Sequence, residues 1–170
     1  AHITYDSWFG VNIAKPHAEV LSADEFRRSL RGTDYGYDTD WYDLLMRDFS
    51  YEVNQYVAID GSSKNGSYNA SINYKNATGL DLRAAREEFG GRLAVQQNAF
   101  KNRLQLSMSL NARRVNEEWG NDGMFDTALS MNPTMPVYNE DGTFYQPTSP
   151  TGAKNPVSEL LVNDKDGQRL

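Results

Sequence analysis

At 170 residues the chain is long enough for one domain with its own core. Its formal net charge of −6 and pI near 4.9 leave no basic footprint, which argues against nucleic acid as a partner. Lack of cysteine rules out disulfide and thiolate chemistry, and no run of eighteen apolar residues is present to form a transmembrane helix.

In chain order, the first strand is expected over about His2–Ala14, where Ile3, Tyr5, Phe9, Val11 and Ile13 share one face. Ser7 interrupts that face and Trp8 sits in the other phase; the chain is expected to open directly on this strand, without a signal peptide. A long connection, Lys15–Asp48, holds two short helices. Ser22 and Glu25 form a capping box for the first, with Phe26 and Leu30 as its apolar stripe. Thr39 is the expected cap of the second, with Asp40 and Asp43 at its positive end and Trp41, Leu44 and Leu45 on its buried side. The second strand follows over Phe49–Asp60, then a tight reversal at Gly61–Gly66, where Asn65-Gly66 tolerates positive φ. The third strand spans Ser67–Thr78, and the fourth, Glu87–Gln97, carries Phe89, Leu93 and Val95 on its dry face. A second tight reversal, Asn98–Asn102, leads to the fifth strand, Arg103–Arg113. There Leu104, Leu106, Met108, Leu110 and Ala112 oppose Arg103, Gln105, Ser107, Ser109, Asn111 and Arg113. Some fifty residues without another long strand complete the chain, with a helical turn near Asp122–Ser130, a hairpin around Asn139–Gly142 and a helix starting at Pro156.

These strands are longer than the usual 5–6 residues of soluble sheets and match the roughly 9–11 that a tilted strand needs to cross a bilayer. In an antiparallel meander the two tight reversals share one end of the sheet. The long connections share the other, which is the layout of an outer-membrane barrel. The fold class read from the pattern is therefore all-β: an antiparallel meander of long strands, part of a transmembrane β-barrel, with short helices in its extracellular loops. Low mean hydropathy (−0.69) does not oppose this, because only alternate residues meet lipid. A soluble or surface-exposed β-domain acting as a binding or adhesion module, with one solvated face, satisfies the same pattern.

Several segments resemble one family. Thr39-Asp-Trp-Tyr-Asp with the strand after it, Tyr68-Asn-Ala-Ser-Ile-Asn-Tyr, Asn132-Pro-Thr-Met-Pro-Val-Tyr-Asn-Glu-Asp-Gly and Asn155-Pro-Val-Ser-Glu-Leu are similar, in this order, to SusC-type (RagA-like) TonB-dependent outer-membrane transporters. The resemblance implies a barrel of about 22 strands filled by an N-terminal plug and capped by a SusD-like surface lipoprotein. It also implies energy drawn from the inner-membrane TonB complex, for import of glycan fragments or peptides across the cell outer membrane. On this reading residues 1–170 are a fragment of one barrel domain, the first five or so strands and their loops, without plug, TonB box or later strands.

No catalytic constellation stands out, so the chain is read as a non-enzyme without cofactor or metal. His2 and His17 lack metal-ligand spacing, and a Ser–His hydrolase has only His2 near a strand. Glu87-Glu88 and Glu117-Glu118 resemble glycosidase pairs, but strand neighbours face opposite ways, so solvated strand ends are expected. Asp164-Lys-Asp-Gly167 resembles a calcium loop but has Val162 at the first ligand position, which favours a turn. The long tract after the fifth strand offers Trp119, Phe125, Tyr138, Phe144 and Tyr145 among Asn121, Asp122, Asn139 and Asp141. Flat aromatics beside amides and carboxylates suit sugar or peptide recognition. The substrate-binding candidates are Trp119, Asp122, Phe125, Tyr138 and Asn139, each of which also has a plain packing role open to it. The wet strand face (Asn69, Ser71, Asn73, Gln105, Ser107, Asn111) is expected to line a lumen or contact the plug.

Overall fold

The computed structural model describes residues 1–13, 19–148 and 152–162, together with the backbone of 166–169. Six strands form one antiparallel sheet in sequence order: β1 (His2–Ile13), β2 (Phe49–Ser63), β3 (Gly66–Thr78), β4 (Ala85–Ala99), β5 (Leu104–Glu118) and β6 (Asp166–Arg169). β6 pairs only with Val115–Glu118, at the far end of β5. The expected strands are all present, and β4 and β5 run further toward the long connections than the sequence pattern suggests.

Register turns five separate alternations into one surface. Ile3 faces Ile59, Ile59 faces Ala70, Ala70 faces Leu93 and Leu93 faces Leu110. Adjacent rows repeat this with Tyr5, Val57 and Ile72, so every apolar set falls on the same side of the sheet. That side is bare: Ile3 is 70%, Ile13 78% and Leu110 61% exposed. Its two polar intruders find each other. Gln55 accepts the Tyr5 hydroxyl at 2.6 Å and donates to Ser7 Oγ at 2.7 Å, so Ser7 and Gln55 are bonded within the apolar field.

The tight reversals differ from expectation. Neither Asn65 nor Gly66 has positive φ. Glycine matters at 66 for space instead, because a Cβ there would lie 2.5 Å from the Gln96 carbonyl oxygen. In the second reversal Phe100, Lys101 and Asn102 are all left-handed, with φ of 50°, 56° and 67°.

The main buried cluster lies outside the sheet, at the end where the long connections gather, although Ala58 and Val115 are buried within the sheet. Trp41, Leu45, Ala128, Val157 and Leu160 form the cluster, with Leu82, Phe125, Met131 and Val137 packed against it. Three short elements contribute: a single 3-10 turn (Asp43–Leu45), α2 (Gly123–Ser130) and α3 (Pro156–Val162); α1 (Ala23–Ser29) lies beside this cluster and supplies none of it. Ser22 and Glu25 complete the capping box of α1 as expected. Leu30 does not join the stripe: it is the left-handed C-cap and lies in solvent, leaving Phe26 half-buried near Gly32. Thr39 caps nothing. Its hydroxyl donates to the Met135 carbonyl at 2.7 Å, and Asp40 takes the capping role by accepting the Asp43 N–H. Trp41 and Leu45 are buried, but Leu44 faces solvent because a 3-10 turn is too narrow to bury three neighbours. Ala14, His17 and the Asp164-Lys165 part of the suspected calcium loop lie outside the described residues; Asp166 and Gly167 belong to β6.

Candidate functional site

The connections at the long-loop end are tied into one body by buried amides and hydroxyls. Thr134, wholly buried, accepts the Tyr35 N–H through its hydroxyl, and its carbonyl accepts the Tyr37 N–H. Asn132 donates to the Thr33 carbonyl at 2.8 Å, while its own carbonyl accepts the Trp41 indole N–H at 2.9 Å. Residues 132–135 are thus clamped along 33–41, roughly a hundred positions apart in sequence. Asn155, 0% exposed, does the same job on the other side. Its Oδ1 caps α3 by accepting from Val157 and Ser158, and its Nδ2 donates to the carbonyls of Val137 and Tyr145, both at 2.9 Å. Arg47 pins the β3–β4 connection by donating to the Leu82 carbonyl at 2.5 Å.

Charges at this end are set by local hydrogen bonds. The Thr143 hydroxyl and N–H hold the Asp141 carboxyl below its usual range. The Gly36 N–H, then the Arg27 guanidinium, do so for Asp34. The backbone N–H and hydroxyl of Ser22 lower Glu25. Burial, then the neighbouring Tyr35, raises the Tyr145 phenol. Tyr35 and Tyr145 meet edge to face at 6.4 Å between ring centroids, joining two connections.

The five sequence-derived site residues do not converge. Phe125 is half-buried against Tyr42, edge to face at 5.2 Å, and packs on the core. Asn139 closes its own hairpin by donating to Thr143 Oγ1 at 2.9 Å. Asp122 precedes α2 without a side-chain capping bond and is exposed. Tyr138 is exposed and lies against Phe144, centroids 5.1 Å apart. Trp119 is 48% exposed and donates its indole N–H to Glu117 Oε2 at 3.0 Å.

Among the described residues, two hollows at this end bear on the candidates. One of about 510 Å³ runs between α1, the 38–42 segment and the end of α2, with Phe26, Trp41 and Tyr42 along it and Glu19, Arg31 and Asp38 among its polar lining. None of the five predicted residues lines it. The other, about 270 Å³, includes Trp119.

The polar face of the sheet changes character along its length. Near the reversals it is mostly neutral, with Ser67, Asn69, Gln96, Ser107 and Ser109 around a shallow hollow and Asp60 opposite Asn69 as a charged exception. Toward the long connections it is charged and internally compensated. Lys75 pairs with Glu52, Arg86 with both Glu88 and Glu117, and Arg113 with Glu88. Glu88 and Glu117 are therefore ion-paired rather than the solvated ends that the sequence suggested. Glu87, on the opposite face, bonds Tyr74 at 3.0 Å and Asn116 at 3.3 Å, so the Glu87-Glu88 doublet splits as strand geometry requires. His2 lies 3.5 Å from Asp60 and is largely exposed. Among the described residues no cluster of metal-ligating side chains occurs.

No family model matches the chain. It is 28% identical over 131 residues, 76% of its length, to TonB-dependent receptor P26 of Formosa agariphila. The matched stretch is 13% of that protein, so the chain spans a small part of the relative's length. This similarity supports the TonB-dependent receptor family.

Proposed function

We propose that this chain is a segment of the β-barrel of a TonB-dependent outer-membrane transporter, and that its apolar sheet face meets lipid. The single observation carrying the proposal is that face. Five strands about 4.8 Å apart, each apolar over roughly ten residues at about 3.3 Å, give on the order of 800 Å² of exposed apolar sheet. Exposed patches on soluble monomers reach roughly 300–600 Å² at most, so this one calls for a covering phase.

The slant of the apolar field supports a barrel. The hydrogen-bonded row through Trp8 passes Asn54, Lys75 and Glu88 and meets β5 at Val115. The apolar stretch is centred near Trp8 on β1 but near Met108 on β5, seven residues before Val115. Seven residues at about 3.3 Å against four spacings of about 4.8 Å is a slope of roughly 50°. Strands of membrane barrels tilt about 35–45°. At such a tilt the apolar stretch stands about 23–27 Å tall, matching the roughly 25 Å of a barrel's apolar band.

The polar face then lines the lumen or meets a plug, and the clamped connections form an outward roof. The motifs Asn132–Gly142 and Asn155–Leu160, which carry the resemblance to SusC-type proteins, are the segments that hold this roof together. On that resemblance the imported substrates are glycan fragments or peptides, a SusD-like lipoprotein covers the roof, and the TonB complex supplies energy. The activity is transport rather than catalysis.

Fractionating cells and blotting with an antibody against residues 132–142 tests this. The expected band lies in the outer-membrane fraction, far above 19.2 kDa. A 19 kDa band in a soluble fraction supports the competing reading, a free-standing β-domain that binds a partner.

A further inference from the structure

Five side chains form an unbroken relay across the ends of β4 and β5 on the polar face. Arg113 Nε lies 3.1 Å from one oxygen of Glu88, and Arg86 Nη2 lies 3.0 Å from the other. Arg86 Nη1 is 3.0 Å from Glu117 Oε1, and Glu117 Oε2 accepts the Trp119 indole N–H at 3.0 Å. Each carboxylate uses both oxygens, and Arg86 uses both terminal nitrogens. Register explains the relay: Arg86 faces Glu117 directly, and Glu88 faces Val115, two residues from Arg113. The backbone ladder already holds these strands together. What the relay adds is a fixed edge for an indole whose ring remains half exposed.

Trp119 shares its hollow with Ala77, Gly79, Ala84, Arg86 and Glu118. At about 270 Å³ it falls below the roughly 300–1,000 Å³ of sites that enclose a whole small molecule, so it admits one ring of a larger ligand. The indole is the one large apolar group lining it; the remaining lining is small or charged. A pyranose can use both kinds of lining, its C–H face on the aromatic ring and its hydroxyls on a neighbouring guanidinium or carboxylate. The indole N–H is already committed to Glu117, so recognition falls to the ring face.

We propose that Trp119 is a stacking subsite for one pyranose ring of a larger ligand, and that Glu117 and Arg86 are its positioning residues. The pyranose rests on the transporter reading; the positioning does not.

The test uses the protein in a sugar-free detergent, probed with an array of immobilised oligosaccharides and, in parallel, an array of peptides. Trp119→Ala is expected to weaken oligosaccharide binding about tenfold, the upper end for an aromatic contact. Glu117→Ala is expected to give part of that loss, and Glu117→Gln, whose amide oxygen still accepts the indole N–H, to recover it. Without ligand, the Trp119 indole N–H resonance shifts and broadens in Glu117→Ala and returns in Glu117→Gln. Oligosaccharide binding unchanged by Trp119→Ala, binding to peptides alone, or no binding to either array overturns the subsite. An indole resonance indifferent to Glu117→Ala overturns the positioning. Outer-membrane localisation with an unchanged Trp119→Ala profile removes the subsite and leaves the transporter; a soluble location removes the transporter whatever the arrays read.

Discussion

Asn155→Ala tests whether the loop roof is one cooperative body. The side chain is fully buried and makes four hydrogen bonds with three separate segments, at 2.9, 2.9, 3.1 and 3.3 Å. Loss of the α3 cap costs about 1 kcal/mol. Two part-buried carbonyls also lose a donor, at about 1–3 kcal/mol for a group left fully unsatisfied. Val137 O keeps the Tyr145 N–H at 3.0 Å, so its share is small and Tyr145 O bears most of the loss. The total is about 3 kcal/mol. For a small unit with a urea slope of about 1 kcal/mol/M, the midpoint falls by about 3 M. Trp41 reports this in detergent solution: at 3% exposure its indole is the buried one, while Trp8 and Trp119 are already 44% and 48% exposed. Asn155→Asp sharpens the test. It keeps the capping oxygen but turns a donor into an anion facing two carbonyl oxygens, so it should be no more stable than alanine. A midpoint shift below 0.5 M for alanine, or an aspartate variant close to the parent, would falsify the idea that Asn155 staples the roof.

Three further outcomes are expected. Met108→Arg, near the middle of the apolar stretch of β5, should cost about 2–4 kcal/mol of folding in lipid, whereas Ser107→Arg, one residue away on the polar face, should be close to neutral; equal costs in a vesicle-folding titration would place lipid elsewhere. Lys101→Gly, at a φ of 56°, should stabilise the second reversal by about 0.5–1 kcal/mol, because glycine meets no Cβ penalty there, and an unchanged or lower denaturation midpoint would count against strain in that turn. The Glu25 capping box should titrate: its carboxyl sits below the ordinary glutamate value when folded, so its contribution is present above that value and lost as pH falls through the folded one. Amide exchange at the start of α1 should therefore quicken in acid, and Glu25→Gln should remove the pH dependence; acid-insensitive exchange in the parent would contradict the box.

Particular residues show how far the sequence reached. Alternation placed Leu104 through Ala112 on one face and Ser107 through Arg113 on the other, because a strand has a fixed period of two and needs no partner to express it. Ser22 with Glu25, and Pro156 at a helix start, were legible for the same reason: capping is settled within four residues. Thr39 was misread because its hydroxyl had a better acceptor in Met135, ninety-six positions away. Glu117 and Glu118 looked like a solvated pair, and only the β4–β5 register set Glu117 opposite Arg86 and beside Trp119. Asn139 and Phe125 had the composition of a binding surface, yet the first closes a hairpin and the second packs on Tyr42. By itself, then, the sequence determined strand identity, strand facing and the asymmetry of the connections, all consequences of local geometry and short-range hydrogen bonding. Tertiary structure alone decided that the apolar sets merge into one bare face while the main buried cluster forms among the connections. Both depend on which distant backbone and side-chain groups meet, and no local period encodes that.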